Sequence, residues 1–353
     1  MKKGLLLIPY LKGYGGTETV INNLLNEFDK EECEIELSIY SVGGTDQDDW
    51  LKHKNVNIIN YPKNRYFREF LYILTLPFII TWCILKNSPE FIISTNPIMW
   101  FVAKMISTFF RKNVKIVAWY HYSYRLKPVR KIFLNSADKY FVISRSGRDE
   151  LLENNIKDED ISIIYNPVIP TNKIIKHSDS KNVFVYVGRT EYKNQKNISE
   201  LFYGLSGLSS KNWMLINYGV GPDKESLVKL SEKLGIEKNI RWMGFQINVF
   251  DQIKKADALV LSSKYEGLPM VLLEGISHGL FSISSNCPTG PSEVINKDNG
   301  LLYKCGDVDE LTDCLEKVIN NDFRVDYDTI KKSINKFYVD QYMERFLKAL
   351  RNI

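Results

Sequence analysis

Cysteine is sparse in this sequence and never arranged as a pair. Cys33, Cys83, Cys287, Cys305 and Cys314 are odd in number, and no Cys-x-x-Cys occurs. That argues against a disulfide framework or a zinc site and for a reducing compartment. Histidine is scarcer still, with four scattered residues, which leaves little for a metal centre. Repeats and low-complexity tracts are absent. No helix-turn-helix, RNA-recognition or zinc-finger pattern occurs, so nucleic acid is not expected as a partner. No apolar run reaches the roughly 20 residues needed to cross a bilayer. The longest, 71–85 (LYILTLPFIITWCIL), is interrupted by Pro77. It reads as a buried helix, with contact to a membrane surface as the alternative. The stretch 1–9 looks like a short signal peptide, but its apolar part is too brief and no small-residue cleavage site follows. A first core strand is the better reading.

What is present is enough chain for two domains, each with its own core: 353 residues of ordinary globular composition, rich in Tyr and Phe. The net charge of +5 is unevenly placed. Residues 61–131 hold twelve Lys and Arg against only Glu69 and Glu90, with Tyr, Phe and Trp interleaved. A basic charge near an anionic leaflet is worth about 1 kcal/mol, so several could hold a soluble enzyme on a membrane. A solvated surface with charges pointing in different directions would have the same composition.

Strand-like and helix-like runs alternate throughout. Residues 5–9 precede a glycine loop and an amphipathic helix near 18–28. Further strands are expected at 35–40, Val56–Asn60, 91–95, 116–119, 140–143 and 161–165. After a linker from Asn166-Pro167-Val168 to Asn182, the pattern restarts at 183–187. It continues at Trp213–Tyr218, 240–243, Ala258–Leu261 and 281–284. Such alternation implies mostly parallel sheets covered by helices, in two successive α/β units with a cleft between them. The tail, 330–353, reads as one or two helices.

The most informative stretch is 262–274, SSKYEGLPMVLLE. Gly267 breaks the strand before it, Pro269 suits the first position of a helix, and Gly279 suits its end. Glu266 then sits outside the strand's carboxyl end and Glu274 in the second helical turn. Two carboxylates and a helix N-terminus on one crevice suit the hydroxyls and phosphates of a sugar nucleotide. A capped helix with a buried Glu274 is the plainer explanation of this spacing taken alone. Other segments add to it. Gly13-Tyr14-Gly15-Gly16-Thr17-Glu18 follows the first strand, where glycines allow close approach to a phosphate or sugar. It lacks the dinucleotide Gly-x-Gly-x-x-Gly spacing. Gly188-Arg189 ends a strand, and Lys193 and Lys196 follow, cations that suit a diphosphate. Gly219-Val220-Gly221-Pro222 and Met243-Gly244-Phe245 are further loop tips, suited to a base. His121 follows another strand end and could hydrogen-bond a donor hydroxyl. Several Asp-x-Asp pairs exist, but none directly follows a strongly apolar strand. Asp307 and Asp309 read as helix N-terminal residues, so no metal coupled to a diphosphate is expected.

As an ordered set these motifs resemble the retaining nucleotide-sugar glycosyltransferases of family 4. The likeness runs through Gly188-Arg189 with Lys196, Gly219 to Pro222, Gly244-Phe245, Glu266-Gly267-Leu268-Pro269 with Glu274, Gly290-Pro291-Ser292-Glu293 and Asn299-Gly300. Gly15-Gly16-Thr17-Glu18 fits more loosely. Within the family the chain looks most like lipopolysaccharide-core hexosyltransferases of the α-1,6-galactosyltransferase type. That closer likeness rests on Gly15-Gly16-Thr17-Glu18-Thr19-Val20-Ile21, Tyr165-Asn166-Pro167-Val168, Gln195-Lys196-Asn197 and Ser284-Ser285-Asn286-Cys287. One departure stands out: the family's lysine usually lies closer to the arginine, so Lys196 needs an insertion and Lys193 is its rival.

The resemblance implies the GT-B fold, two Rossmann-like domains with parallel sheets facing across a cleft. An acceptor domain would span 1–168, a sugar-nucleotide domain 169–334, and a crossover helix 335–353 would pack on the first. It also implies roles. Arg189 and Lys196 would grip the donor diphosphate, and Glu274 the ribose hydroxyls. Glu266, with the Gly267 and Leu268 amides, would hold the donor sugar. His121 would contact that sugar from the other domain, Gly15 and Gly16 would approach the diphosphate, and Glu18 would face the acceptor. The residue types of Gly244 and Phe245 suit the base. The implied activity is transfer of a galactose- or glucose-type hexose, from UDP by preference, to a lipopolysaccharide-core or other surface-glycan acceptor. No cofactor or metal is implied, and the site of action is the cytoplasmic face of the inner membrane. A sugar-nucleotide 2-epimerase of the same fold and a non-catalytic membrane scaffold are the competing readings.

Overall fold

Strands of three to nine residues, most of them followed by a helix, pair in parallel because each such helix carries the chain back to the same sheet edge. The computed structural model describes every residue except Met1, Tyr14, Asp29, 31–34, Phe323 and Arg324. Tyr14 of the glycine loop and Cys33 therefore lie outside the described residues. The chain forms two units, Met1–Pro167 with Val339–Ile353, and Val168–Tyr338.

The first unit runs β1 (Lys2–Ile8), α1 (Gly16–Phe28), β2 (Ile35–Gly43), β3 (Val56–Asn60), α2 (Arg65–Asn87), β4 (Phe91–Ser94), α3 (Pro97–Phe109), β5 (Lys115–Trp119), α4 (Lys131–Leu134), β6 (Lys139–Val142), α5 (Arg145–Glu153) and β7 (Ile161–Ile163). Its seven parallel strands are ordered β3-β2-β1-β4-β5-β6-β7. One sheet face, with Leu5, Leu7, Ile92 and Ile116, packs on Leu76, Ile80 and Ile84 of α2 and on Met99, Trp100 and Ala103 of α3.

The second unit runs β8 (Asn182–Val187), α6 (Ile198–Ser206), β9 (Trp213–Tyr218), α7 (Lys224–Lys233), β10 (Ile240–Gly244), α8 (Val249–Gln252), β11 (Ala258–Leu261), α9 (Met270–Ser277), β12 (Ser282–Ser285), α10 (Pro291–Val294), β13 (Gly300–Tyr303), α11 (Val308–Ile319) and α12 (Tyr327–Lys332). Its six parallel strands are ordered β10-β9-β8-β11-β12-β13. Phe184, Leu215 and Val260 pack against Leu201 and Leu205 of α6, Leu227 of α7 and Leu311 and Leu315 of α11. The last helix, α13 (Val339–Arg351), belongs to the first unit. There Phe346 meets the rings of Phe28, Trp119, Phe141 and Tyr342 at centroid separations of 5.7–6.1 Å.

Two expectations are corrected. The 71–85 run is not a buried helix. It lies within the 23-residue α2, whose Asn64 side chain caps its start by accepting from the Phe67 amide. Most of α2 is exposed: Tyr66 at 83%, Ile73 at 77% and Phe78 at 76%. An apolar run gives no sign of which face the sheet covers, so composition alone overstates its burial. Pro269 is not the first helical residue but the N-cap of α9.

Candidate functional site

In the second unit the strand order reverses between β8 and β11, which leave the sheet's middle with their following helices on opposite sides. Ligands bind open α/β sheets outside the carboxyl ends of such strands. The segment after β8 carries Arg189 and Lys196, and the segment after β11 carries Glu266.

The two segments are tied together. Lys196 Nζ lies 2.7 Å from Glu266 Oε1, with the two side chains only 14% and 8% exposed. The longer connection between Arg189 and Lys196 is held by Glu191. That buried carboxylate accepts from the Lys196 amide at 3.1 Å and pairs with the Arg189 guanidinium at 2.8 Å. Arg189 also donates to Gln195 Oε1 at 2.7 Å, and Gln195 Nε2 donates to the Tyr265 carbonyl at 3.1 Å. Lys264 N donates to the Gln195 carbonyl, and Ser262 Oγ to that of Lys196. The 189–196 segment thus forms a loop that brings Lys196 back onto Glu266. Its rival Lys193 leans toward the Tyr192 ring, 5.5 Å from the centroid.

Around this pair the backbone is closely apposed. Thr289 Oγ1 donates to the Glu266 carbonyl, fixing the 266–268 turn, in which Leu268 is buried. Gly219 N donates to the Gly244 carbonyl at 2.8 Å. Gly219 has φ +149°, and a Cβ there would sit 1.8 Å from the Gly188 carbonyl oxygen, so only glycine fits. Phe245 and Val220 present exposed apolar surface at the same strand ends. Glu274 stands in the second turn of α9, partly buried. Burial pushes its carboxyl up to about 7.

In the first unit the glycine loop closes on Glu18. Gly13 N donates to Glu18 Oε1 at 3.0 Å, and a Cβ at Gly15 would lie 2.5 Å from Glu18 Oε2. Gly16 starts α1, and Thr19 N bonds back to the Gly15 carbonyl. Glu18 is therefore buried as the loop's own anchor, with its acidic group in the first helical turn where the dipole favours it. His121 follows β5, buried against Trp119 with ring centroids 4.7 Å apart. Its Nε2 has no hydrogen-bond partner among the described residues, and burial lowers its pKa to about 3, so the ring is neutral. Glu150 of α5 fixes the loop beyond it, accepting from Ser123 Oγ at 2.7 Å and from the Tyr124 amide at 2.6 Å.

Sequence reasoning passed over Glu191 and Glu150. An acidic residue two places after Arg189 was the available signal for the first; nothing local marks the second.

The arrangement can hold an anion beside hydroxyl-binding carboxylates. Two family models match the chain: "Glycosyltransferase Family 4" over residues 14–172 and "Glycosyl transferases group 1" over residues 170–336. The lipopolysaccharide 1,6-galactosyltransferase of Salmonella typhimurium is 31% identical over 350 residues, 96% of each chain. Its Escherichia coli K12 counterpart is 28% identical, covering 96% of this chain and 95% of that one. Among solved structures, the apo form of the lipopolysaccharide outer core galactosyltransferase WaaB superimposes with a TM-score of 0.86 at 30% identity over 99% of each chain. Anabaena HepE in complex with UDP shares the fold over the whole length of both chains, with a TM-score of 0.81 at 15% identity.

Proposed function

The chain belongs to the family 4 glycosyltransferases and has their GT-B fold, and from that membership we propose that it moves a hexose from a UDP-sugar to a lipopolysaccharide-core or related surface-glycan acceptor, with retention, at the cytoplasmic face of the membrane. One observation carries the reading: the buried Lys196–Glu266 pair at the carboxyl ends of the strands where the sheet order reverses. A cation and a carboxylate held there offer, side by side, a partner for a diphosphate and one for sugar hydroxyls. The full-length likeness to a 1,6-galactosyltransferase supports the acceptor class.

In this reading Arg189 and Lys196 bind the diphosphate, and Glu274 accepts from ribose hydroxyls. Glu266 and the Gly267 and Leu268 amides hold the hexose. Gly244 and Phe245 flank the base. Gly15 and Gly16 admit the phosphates closely, Glu18 shapes that loop toward the acceptor, and the neutral His121 offers Nε2 to a donor hydroxyl. The bond from the anomeric carbon to the β-phosphate oxygen breaks with its electron pair on phosphate, through an oxocarbenium-like state. The acceptor hydroxyl bonds to the anomeric carbon on the same face and yields its proton to the departing phosphate. Arg189 and Lys196 meet the charge developing there.

The test is nucleotide release from UDP-galactose and UDP-glucose, with and without truncated lipopolysaccharide. Release that requires the acceptor and is lost in Glu266→Ala is expected. Acceptor-free conversion of the donor sugar would assign the 2-epimerase reaction instead. Absence of turnover with every sugar nucleotide and acceptor would overturn the proposal.

A further inference from the structure

One side of α2 is apolar and uncovered along its length. Tyr66, Phe70, Leu74, Phe78 and Trp82 recur every four residues and are exposed together with Ile73 and Leu85, while Leu76, Ile80, Cys83 and Ile84 enter the core. Between Glu69 and Lys86 the helix carries no charged residue. Alongside it, α3 exposes Ile98, Met105 and Phe109, the last at 81%. Cations flank the plateau: Lys63, Arg65 and Arg68 at one end, Lys86, Arg111 and Lys112 at the other. The one acid on α2, Glu69, is paired with Arg65 at 2.8 Å.

We propose that this face of α2 and α3 is a monotopic docking surface for an anionic lipid bilayer, with α2 lying in the interface plane. Helices of this kind bury an apolar face about 5–10 Å into the headgroup boundary while cations meet the anionic lipids. The length and composition of α2 would also suit a membrane span. Its place in the fold excludes that: it joins β3 to β4 of one sheet, and its buried side would have to leave the core. A second copy of the chain is a poor occupant, because two cation-rimmed faces would bring like charges together. The amino end of α2 is joined to the loop after β1. Arg68 stacks on Tyr10 at 3.6 Å from the ring centroid, and the Tyr10 amide donates to Tyr72 Oη at 2.7 Å. A docked α2 therefore holds the glycine loop close to the lipid surface. The inference deepens the proposed function and rests on it only for the acceptor being lipid-borne.

Sedimentation of the full chain with phosphatidylcholine vesicles, with and without phosphatidylglycerol, tests it. Binding to the anionic vesicles is expected, weakened by 0.5 M salt. An Ile73→Glu/Phe78→Glu variant should lose at least tenfold in partitioning while keeping its melting temperature and its transfer to a delipidated core oligosaccharide. A Lys63→Gln/Arg65→Gln/Lys86→Gln variant should lose about fivefold per charge, and it decides the matter if the first variant does not fold. Failure of the wild type to bind, or binding unchanged in these variants, overturns the proposal. So does a wild-type dimer that Ile73→Glu/Phe78→Glu converts to monomer. Loss of transfer to the soluble oligosaccharide in the wild type would instead count against the proposed function.

Discussion

Lys196 and Glu266 neutralise each other 2.7 Å apart across seventy residues of sequence, with both side chains withdrawn from water. Removing one partner leaves the other as a buried charge without compensation. Lys196→Ala should therefore destabilise the protein by about 3 kcal/mol and lower kcat/KM by at least a hundredfold. Lys196→Met/Glu266→Gln should recover most of the stability and none of the turnover. Chemical denaturation and steady-state kinetics on the three proteins check this.

Arg189 gives the opposite balance. Its ion pair with Glu191 is made by a side chain 61% exposed, so Arg189→Ala should change stability by less than about 1 kcal/mol. In the proposed role of diphosphate ligand, its loss should raise KM for the donor about tenfold to a hundredfold, the effect of losing one charge-assisted hydrogen bond. Unfolding midpoints and donor titrations separate the two effects.

Glu274 makes stability depend on pH. Its carboxyl is raised from 4.5 to about 7 in the fold by burial. Between those values the folded protein holds a proton that the unfolded chain has released, so stability falls as pH rises through this window and the full penalty applies above 7. Glu274→Gln, which mimics the protonated form, should raise the melting temperature at pH 8, with the advantage shrinking toward pH 5. The same variant should bind the donor more weakly at pH 8, where the wild-type carboxylate is ionised. Melting curves and donor binding across pH 5–8 give both readouts.

His121 shifts the other way. Burial lowers its pKa from 6.5 to about 3, so below 6.5 the unfolded chain takes up a proton that the fold refuses, and stability drops as pH falls. His121→Phe should flatten this acid limb while lowering kcat. Glu150→Ala, which frees the Ser123 and Tyr124 contacts, should lower kcat by about tenfold with His121 still present. Its acid limb should persist, which separates a positioning role from that of the imidazole itself.

Strands were the most legible part of the fold. Ala258–Leu261 begins and ends where its apolar run does, because a fully covered parallel strand reads as a continuous apolar segment, and Val56–Asn60 and Trp213–Tyr218 also keep their expected bounds. Other strands differ by a residue or a few at their ends, as Lys2–Ile8 does from 5–9. Helix α2 was legible as a helix but not in its exposure, since an apolar residue on a helix gives no clue to what covers it. The candidate site residues Glu266 and Lys196 were visible through spacing and motif. Their contact was not, because it depends on Glu191 folding the 189–197 loop and on long-range bonds from 262–265. Glu150 was invisible for the same reason: its role lies in bonds to a loop twenty-six residues away.

The chain leaves its first unit at Pro167 and comes back only at Val339. During synthesis the unit that emerges first must wait for the final helix before Trp119 and Phe141 acquire Phe346 as a neighbour. Released chains truncated before residue 339 should thus carry a complete second unit and a first one still lacking its aromatic lid, the form in which a chaperone would be needed most.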